Sequence, residues 1–566
     1  MSARVDHAIG AALAAAYVAL LLSTAPAIGM SRDEGMYVVA AQSYAGWFEL
    51  LAHDPSSAFE QANIDRHFRA NHEHPGLVKS LFALSYLLDR ELGLFTRDSL
   101  AYRFPGMVSA GLLLWLVYVF GVRTFNRRVG LFAALAYALL PRPFYHAHLN
   151  AFDVPITLAL TAVTYAYWRS LVARRWALAT GVLFGLALAT KHNSWILPGV
   201  FAIHFALVIA LDRMRRKRAA SAERAGASTA AAANPASAAP GLRTLPYWLL
   251  AMAALGPALF VASWPWLWND TFARFERYAA FHLHHDYYNI AYFGVNYFWP
   301  PFPVSYPWVM TLYTVPVTTL LLAVVGLTVR GRAVLNDLRA ALRGEPAEEP
   351  RWTSVLWLGA LLAPLVVISL PSTPIFGGTK HWFPAYPFLA LFAGVGFDRA
   401  LSVYADWLPR SRLARLRAHV QWPLGALLLL PAAVETAHSH PFGLSHYGFA
   451  AGFVPGAADR GMNRQFWGFT TRSLSDFFYR TLPHGGRVWI CDTLDTSFRM
   501  MVRDGHLPAR IVATGDIASA DYAIVHHEHH FTEVDHQIWT AYGTTRPVHV
   551  LTYDGVPIIS VYGNPR

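Results

Sequence analysis

The sequence predicts an α-helical polytopic membrane protein with about 11 transmembrane helices and a small C-terminal α/β domain. Of its 566 residues, 55% are hydrophobic and only 14% are charged, whereas soluble chains carry about 25% charged residues. Uncharged apolar runs of about 20 residues recur, and this length is what crosses roughly 30 Å of hydrocarbon. From about residue 437 these runs give way to short alternating segments.

Eleven apolar segments are the candidate spans. They cover residues 8–28, 104–122, 129–141, 150–168, 176–190, 194–211, 245–264, 307–328, 353–370, 383–398 and 421–436. Segment 76–88 is shorter and contains Lys79, so it is interpreted as a juxtamembrane or re-entrant helix, with a tilted span as the alternative. The first span is longer than the apolar core of about 7–15 residues in a signal peptide, which favours a retained anchor over a cleaved signal.

The distribution of basic residues orients the predicted spans. Loop 212–243 contains seven Lys or Arg residues, whereas the longer stretch 265–306 contains only Arg274 and Arg277. Because basic loops stay in the cytoplasm, the N-terminus is expected inside and the C-terminus outside. The Ala-rich part of 212–243 is interpreted as a disordered cytoplasmic linker. The net charge of +11 follows from this bias and predicts no nucleic-acid partner, because the basic residues fall in separate loops.

The domain division places residues 1–436 in the membrane domain and residues 437–566 in an extracytoplasmic domain. In the latter, "RVWICD", "DYAIVHH", "PVHVLTYD" and "PIISVYG" have the pattern of strands, and "DTSFRMMVRDG" and "HQIWTAYG" that of helices ended by Gly. One cysteine, Cys491, excludes an internal disulfide and a cysteine-based metal site. The histidines of 282–285 and of "HHEHH" (526–530) are expected at the solvated surface.

Ionisable residues from separate segments converge on the outer face of the predicted topology. They are Asp33, Glu34, His74, Lys79, Asp153, Lys191, Lys380 and His381, with outer loop 29–103 carrying the acidic pair. Each has an ordinary alternative: the acidic pair can be interfacial polarity, and a lysine near a helix end can extend to the headgroups. Asp153 is harder to explain in this way, because an ionisable group at the start of an apolar helix is costly and usually functional.

Lysines and carboxylates at an outer membrane face suit transfer from a lipid-held donor. Lysines can bind a phosphate, and a carboxylate can act as general base for a hydroxyl or amine. Since no nucleotide-binding motif is visible, the expected donor is membrane-borne, such as a sugar on polyprenyl phosphate. The acceptor is left open as an extracytoplasmic protein, lipid or glycan. A divalent metal is left open as a cofactor, and no residue is assigned to it.

Several segments resemble the dolichyl-phosphate-mannose protein mannosyltransferase family, which includes bacterial lipid A aminoarabinose transferases and has the GT-C membrane fold. Asp33-Glu34 looks like the acidic pair of the family's first outer loop. The other similar segments are "HPGLVK" (74–79), "FDVP" (152–155), "ATK" (189–191), "KHWFPAYPF" (380–388) and the stretch 440–468.

The resemblance implies an inverting membrane glycosyltransferase that uses a polyprenyl-phosphate sugar as its donor. Asp33 would take the acceptor proton, and Glu34 and Asp153 would orient the acceptor or stabilise charge at the anomeric centre. The implied partners of the lipid phosphate are Lys79, Lys191, Lys380, His381 and His74. The bacterial inner membrane is the expected location.

Two other classes stay open. A transporter or lipid flippase would place its site near the bilayer midplane, often between repeats, and no repeat is visible in the sequence. A non-catalytic membrane scaffold would present the C-terminal domain, but it leaves the convergent carboxylates and lysines without a role.

Overall fold

The computed structural model describes residues 3–224, 245–349, 351–407 and 421–565. Helices dominate it. The helices are α1 Ala3–Thr24, α2 Arg32–His53, α3 Pro55–Ala58, α4 Gln61–Phe68, α5 Leu77–Leu92, α6 Asp98–Thr124, α7 Arg127–Ala138, α8 Pro141–His146, α9 Asp153–Ser170, α10 Arg175–Leu188, α11 Leu197–Arg224, α12 Tyr247–Ala262, α13 Thr271–Leu283, α14 Tyr306–Thr314, α15 Val317–Arg343, α16 Thr353–Ser369, α17 Tyr386–Trp407, α18 Gln421–Ser439, α19 Phe453–Asp459, α20 Ser475–Thr481, α21 Asp495–Arg503 and α22 Thr532–Tyr542.

Several of these helices have the length and composition to cross a membrane. In the described ranges, five helical stretches qualify and three shorter helices are also strongly apolar. The five are 3–27, 98–124, 192–221, 317–343 and 380–406, and the shorter three are α10, α12 and most of α16. The chain is therefore an integral membrane protein, as expected, while the count of eleven crossings stays a prediction.

One predicted span is wrong in its bounds. The structure divides segment 307–328 into α14, which ends at Thr314, and α15, which begins at Val317. Pro316 separates them with extended backbone, because proline lacks the N–H that a continuous helix needs and clashes with the preceding turn. The predicted linker also begins later than expected, since α11 continues to Arg224, and residues 225–243 lie outside the described residues.

The apolar helices pack closely along one another, in particular α1 on α6, α10 on α12 and α15 on α17. At the last contact a Cβ on Gly326 would lie 1.9 Å from the Phe392 carbonyl oxygen, and one on Gly396 would lie 1.9 Å from that of Leu322. Small residues are what allow backbones of membrane helices to approach this closely.

The C-terminal residues form the expected α/β unit. Its strands are β3 Gly486–Trp489, β4 Ile511–Thr514, β5 Tyr522–His526, β6 His549–Tyr553 and β7 Val556–Gly563, in the order β4-β3-β5-β7-β6. Strand β3 pairs in parallel with β4 and β5, whereas β7 is antiparallel to β5 and β6. The four predicted strands correspond to β3, β5, β6 and β7. Strand β4 was not predicted. The hairpin of β1 Ile290–Tyr292 and β2 Val295–Tyr297 was not predicted either.

Candidate active site

One cavity of about 840 Å³ lies where the membrane helices meet the C-terminal residues. Six of the eight predicted site residues line it. They are Asp33, His74, Asp153, Lys191, Lys380 and His381. Glu34 and Lys79 do not line this cavity, and both are completely buried behind it.

Two carboxylate–lysine pairs dominate the polar part of the cavity. Lys380 Nζ lies 3.1 Å from Asp33 Oδ2, and Lys191 Nζ lies 2.9 Å from Asp153 Oδ1. Residues from four distant parts of the sequence thus form two ion pairs in one cavity. The chain has only four lysines among its 46 Lys and Arg residues, and two of them are used here.

Asp33 is held as an anion at the start of α2. Its position in the first helical turn favours a negative charge, because the N–H groups there carry partial positive charge. Burial alone would raise the pKa of Asp33, but the charges of Lys380 and Arg32 outweigh it and hold this pKa below its usual range. The carboxylate is therefore ready to accept a proton once its lysine partner moves away.

Glu34, the neighbour of Asp33, has a different environment. Its carboxylate accepts two hydrogen bonds from Arg103, at 2.8 and 2.9 Å, and one from the Ser31 backbone N–H at 2.9 Å. Arg103 also donates to the carbonyl oxygens of Ile28 and Gly29. These bonds fix the turn that leads into α2, so Glu34 positions Asp33 rather than facing the cavity.

Lys79 is likewise a positioning group in this structure. Its Nζ donates to the carbonyl oxygens of Asn71 and His74, at 2.5 and 2.8 Å. Burial lowers the pKa of Lys79 to about 7. The lysine holds the backbone of the segment that brings His74 to the cavity.

The segment before α17 presents Lys380 and His381. Gly377 and Gly378 precede them with φ of +65° and +68°, a conformation that glycine adopts without strain. The Lys380 ammonium lies 4.2 Å from the ring centroid of Trp467, and His381 Nε2 lies 2.8 Å from the Phe376 carbonyl oxygen. The turn thus directs the lysine toward Asp33.

Three histidines form a second group of polar side chains in the cavity wall. The rings of His192 and His282 stack with centroids 3.9 Å apart, and that of His74 lies 5.7 Å from His282. Burial lowers the pKa of His282 to about 4, so this ring is neutral at physiological pH. His282, expected at the surface, is part of the cavity instead.

The described residues contain no group of three or more His, Cys, Asp or Glu side chains placed to hold a metal ion. No residue is therefore assigned to the divalent metal that the sequence left open.

Several residues that line the cavity or contact its lining residues were not predicted. His146 Nδ1 lies 3.3 Å from Asp153 Oδ2, and "HAHLN" just before Asp153 was the available signal. Arg32 Nη1 donates to Asp492 Oδ1 at 2.5 Å. From the C-terminal part, Trp467 and Glu528 contribute to the wall, and no local pattern in the sequence indicates this.

Residues 74–233 match the family model described as dolichyl-phosphate-mannose-protein mannosyltransferase. The match confirms the expected likeness to this family. It includes three of the predicted site residues that line the cavity, His74, Asp153 and Lys191. No curated protein matches the sequence.

Two solved structures are similar to this chain at low sequence identity. ArnT from Cupriavidus metallidurans bound to undecaprenyl phosphate is 16% identical, with 99% of this chain and 98% of that chain covered and a TM-score of 0.47. The archaeal oligosaccharyltransferase AglB from Archaeoglobus fulgidus, in complex with an inhibitory peptide and a dolichol-phosphate, is 10% identical, with 92% and 69% covered and a TM-score of 0.45.

Proposed function

We propose that the protein is an inverting GT-C type glycosyltransferase that moves a sugar from a polyprenyl-phosphate donor to an extracytoplasmic acceptor. The observation that carries the proposal is the presence of two lysine–carboxylate pairs, Asp33–Lys380 and Asp153–Lys191, in one cavity. The match to the mannosyltransferase family supports the same reaction class.

The donor phosphate can compete with the Asp33 and Asp153 carboxylates for the two lysines. When the phosphate binds Lys380, the Asp33 carboxylate loses its partner and becomes available as a base. Lys191 can turn from Asp153 to the phosphate in the same way. Both changes exchange one charge-assisted contact of a lysine for another, so each lysine keeps an anionic partner while the donor enters.

The transfer itself then needs one displacement. Asp33 takes the proton of the acceptor hydroxyl, and the hydroxyl oxygen attacks C1 of the sugar from the face opposite the phosphate. The bond between C1 and the phosphate oxygen breaks, and its electron pair leaves with the lipid phosphate, which Lys380 and Lys191 stabilise. A single displacement inverts the configuration at C1.

The apolar part of the cavity supports a lipid-linked donor. Leu160 of α9, Ile196 before α11, and Val367 and Ile368 of α16 contribute to its wall. Apolar helices of this kind can accept a polyprenyl chain while its phosphate stays beside the lysines.

The proposal includes an orientation and a location. The basic segment 212–243 lies in the cytoplasm with the N-terminus, and the cavity with residues 437–566 lies outside the inner membrane of a bacterium. Support comes from the arginine distribution. The same proposal places the boundary between the membrane domain and the extracytoplasmic domain after residue 436.

The test is transfer by purified protein in detergent, where no membrane separates two compartments. Labelled polyprenyl-phosphate sugars are supplied with and without acceptors, and sugar release and transfer are measured. Lys380→Ala should lower transfer about ten- to a hundredfold, the equivalent of one charge-assisted contact of about 1.5–3 kcal/mol. The matched control is Lys217→Ala, at an exposed position of α11. Lipid movement between leaflets by reconstituted protein, without any sugar transfer, would favour the flippase alternative.

A further inference from the structure

The motif "HHEHH" (526–530) has a place in the structure that the sequence did not predict. His526 is completely buried, and Glu528 is only 9% exposed. Glu528 and His530 both line the cavity, although they follow strand β5 of the C-terminal sheet. Glu528 and His530 of the motif therefore belong to the wall of the candidate active site, whereas His529 is exposed, as expected.

Glu528 is part of a buried group that has more hydrogen-bond acceptors than donors. Asn463 Nδ2 lies 3.4 Å from Glu528 Oε2. Asn463 Oδ1 is buried and has no donor among the described residues, and buried Glu528 Oε1 and Asp492 Oδ2 receive none beyond the hydrogen bond that the two carboxyl groups can share. Buried polar atoms are costly without a partner, so this group is suited to bind hydrogen-bond donors of a ligand.

The group lies next to the proposed base. Arg32 bridges the two, because its Nη1 donates to Asp492 Oδ1 at 2.5 Å and its Nε lies 3.5 Å from Asp33 Oδ1. The backbone N–H of Arg32 also donates to the Trp467 carbonyl oxygen at 2.8 Å. A ligand that presents its nucleophile to Asp33 would therefore have its neighbouring groups within reach of Glu528.

We infer that Glu528 is a specificity-determining residue that binds a second hydroxyl of a polyhydroxylated acceptor, such as a glycan or the sugar of a glycolipid. This inference rests on the proposed function. A single protein hydroxyl gives its one proton to Asp33 and has none left for this group, in which Asn463 Oδ1 keeps no donor even when Glu528 and Asp492 share a proton. A sugar carries further hydroxyls beside the nucleophile, so it can satisfy them.

The charge state of the group favours hydroxyls over an ammonium. Burial, and then the neighbouring Asp492 carboxylate, raise the pKa of Glu528 well above its usual range. Burial thus favours the protonated Glu528 carboxyl, which can donate to Asp492, while Arg32 neutralises the Asp492 charge. A group without net negative charge has little preference for a cation, and it can both donate to and accept from a hydroxyl.

The experiment measures the acceptor KM and, separately, the release of sugar to water. Purified protein in detergent receives undecaprenyl-phosphate-linked sugars, with octyl glucoside, galactoside and mannoside or a peptide containing Ser and Thr as acceptors. Glu528→Ala should raise the KM for the octyl glycoside about tenfold, a larger effect than the same variant has on the release of sugar to water. Glu528→Gln should recover part of the loss, because its amide oxygen still accepts a hydrogen bond.

The matched control is Glu533→Gln, an exposed carboxylate on α22, which should behave as the wild type. An unchanged acceptor KM in Glu528→Ala would overturn the inference, as would wild-type transfer to the peptide but to none of the glycosides. Failure of the wild type to consume any donor would instead overturn the proposed function, so the two results are distinguishable.

Discussion

Adjacent carboxylates at the start of α2 face different surroundings. Consecutive residues of a helix point about 100° apart, so Asp33 reaches the cavity while Glu34 turns to Arg103. The pair therefore combines a group suited to chemistry with a group that holds it in place.

Asp33→Asn should lower transfer by roughly a hundredfold or more, because general-base catalysis typically contributes about 10²–10⁴-fold. Donor binding should be largely kept. Since the charges of Lys380 and Arg32 lower the pKa of Asp33, the carboxylate stays ionised as pH falls to the usual aspartate value of 3.8. The acid limb of kcat/KM should lie below that pH. Wild-type turnover by Asp33→Asn would assign the base to another residue.

Glu34→Gln should destabilise the protein rather than act on turnover alone. Removal of one partner from a buried ion pair typically costs about 3–5 kcal/mol, and Arg103 would lose its charged partner in this variant. The yield of folded protein and its thermal midpoint measure the effect. The double variant Glu34→Gln/Arg103→Met should recover part of it, whereas a normal midpoint with lost transfer would indicate a direct catalytic role.

At the scale of the elements, the segment between α4 and α5 depends on a lysine that turns inward. Lys79 lies in the first turn of α5 and reaches back to two carbonyl oxygens of the segment 71–76. From the sequence alone, a lysine in a short apolar helix could bind a phosphate or support the backbone. The contacts of Lys79 in the structure favour backbone support.

Lys79→Met should change how stability depends on pH. The folded chain has a Lys79 pKa of about 7, below the usual 10.5, so above pH 7 the folded state binds fewer protons than the unfolded state. Stability conferred through this group therefore rises with pH. The difference between the thermal midpoints of the wild type and Lys79→Met should therefore increase in favour of the wild type from pH 7 to pH 9. Lys217→Met, at an exposed site, should show no such difference.

Hydropathy predicts most helices because an apolar run is a local property of the sequence. It does not predict the break at Pro316 when the run on both sides is apolar. Part of the candidate site was also predictable, because some of its residues stand out in their local sequence. Asp33, Asp153 and Lys380 stand out as charges at the ends of apolar segments, whereas the contact of Glu528 with the cavity depends on how the C-terminal sheet packs.

At the scale of the whole molecule, the two ends of the helix bundle differ. Asp6–Arg127 and Arg128–Asp398 pairs, at 2.7 and 2.9 Å, lie at the end where α1 begins. The C-terminal part contacts the opposite end, where Ser497 Oγ donates to the Ser31 carbonyl oxygen at 2.8 Å. The structure thus separates the N-terminus from the C-terminal domain along the bundle.

Reporter fusions at Arg218 and Pro565 should therefore lie on opposite sides of the membrane, with Arg218 in the cytoplasm. The measurement is reporter activity or protease access in intact cells. Detection of both reporters on the same side would contradict the proposed topology and the outer position of the cavity.

The shared wall of the cavity has a consequence for how such a chain can diversify. Trp467 and Glu528 come from the C-terminal part, while the two lysine–carboxylate pairs come from the membrane helices. Exchange of the C-terminal part between related chains would bring a new set of acceptor contacts to an unchanged transfer centre. A chimera would work only if the incoming part also supplied a partner for Arg32, which makes Asp492 the residue to keep in any such exchange.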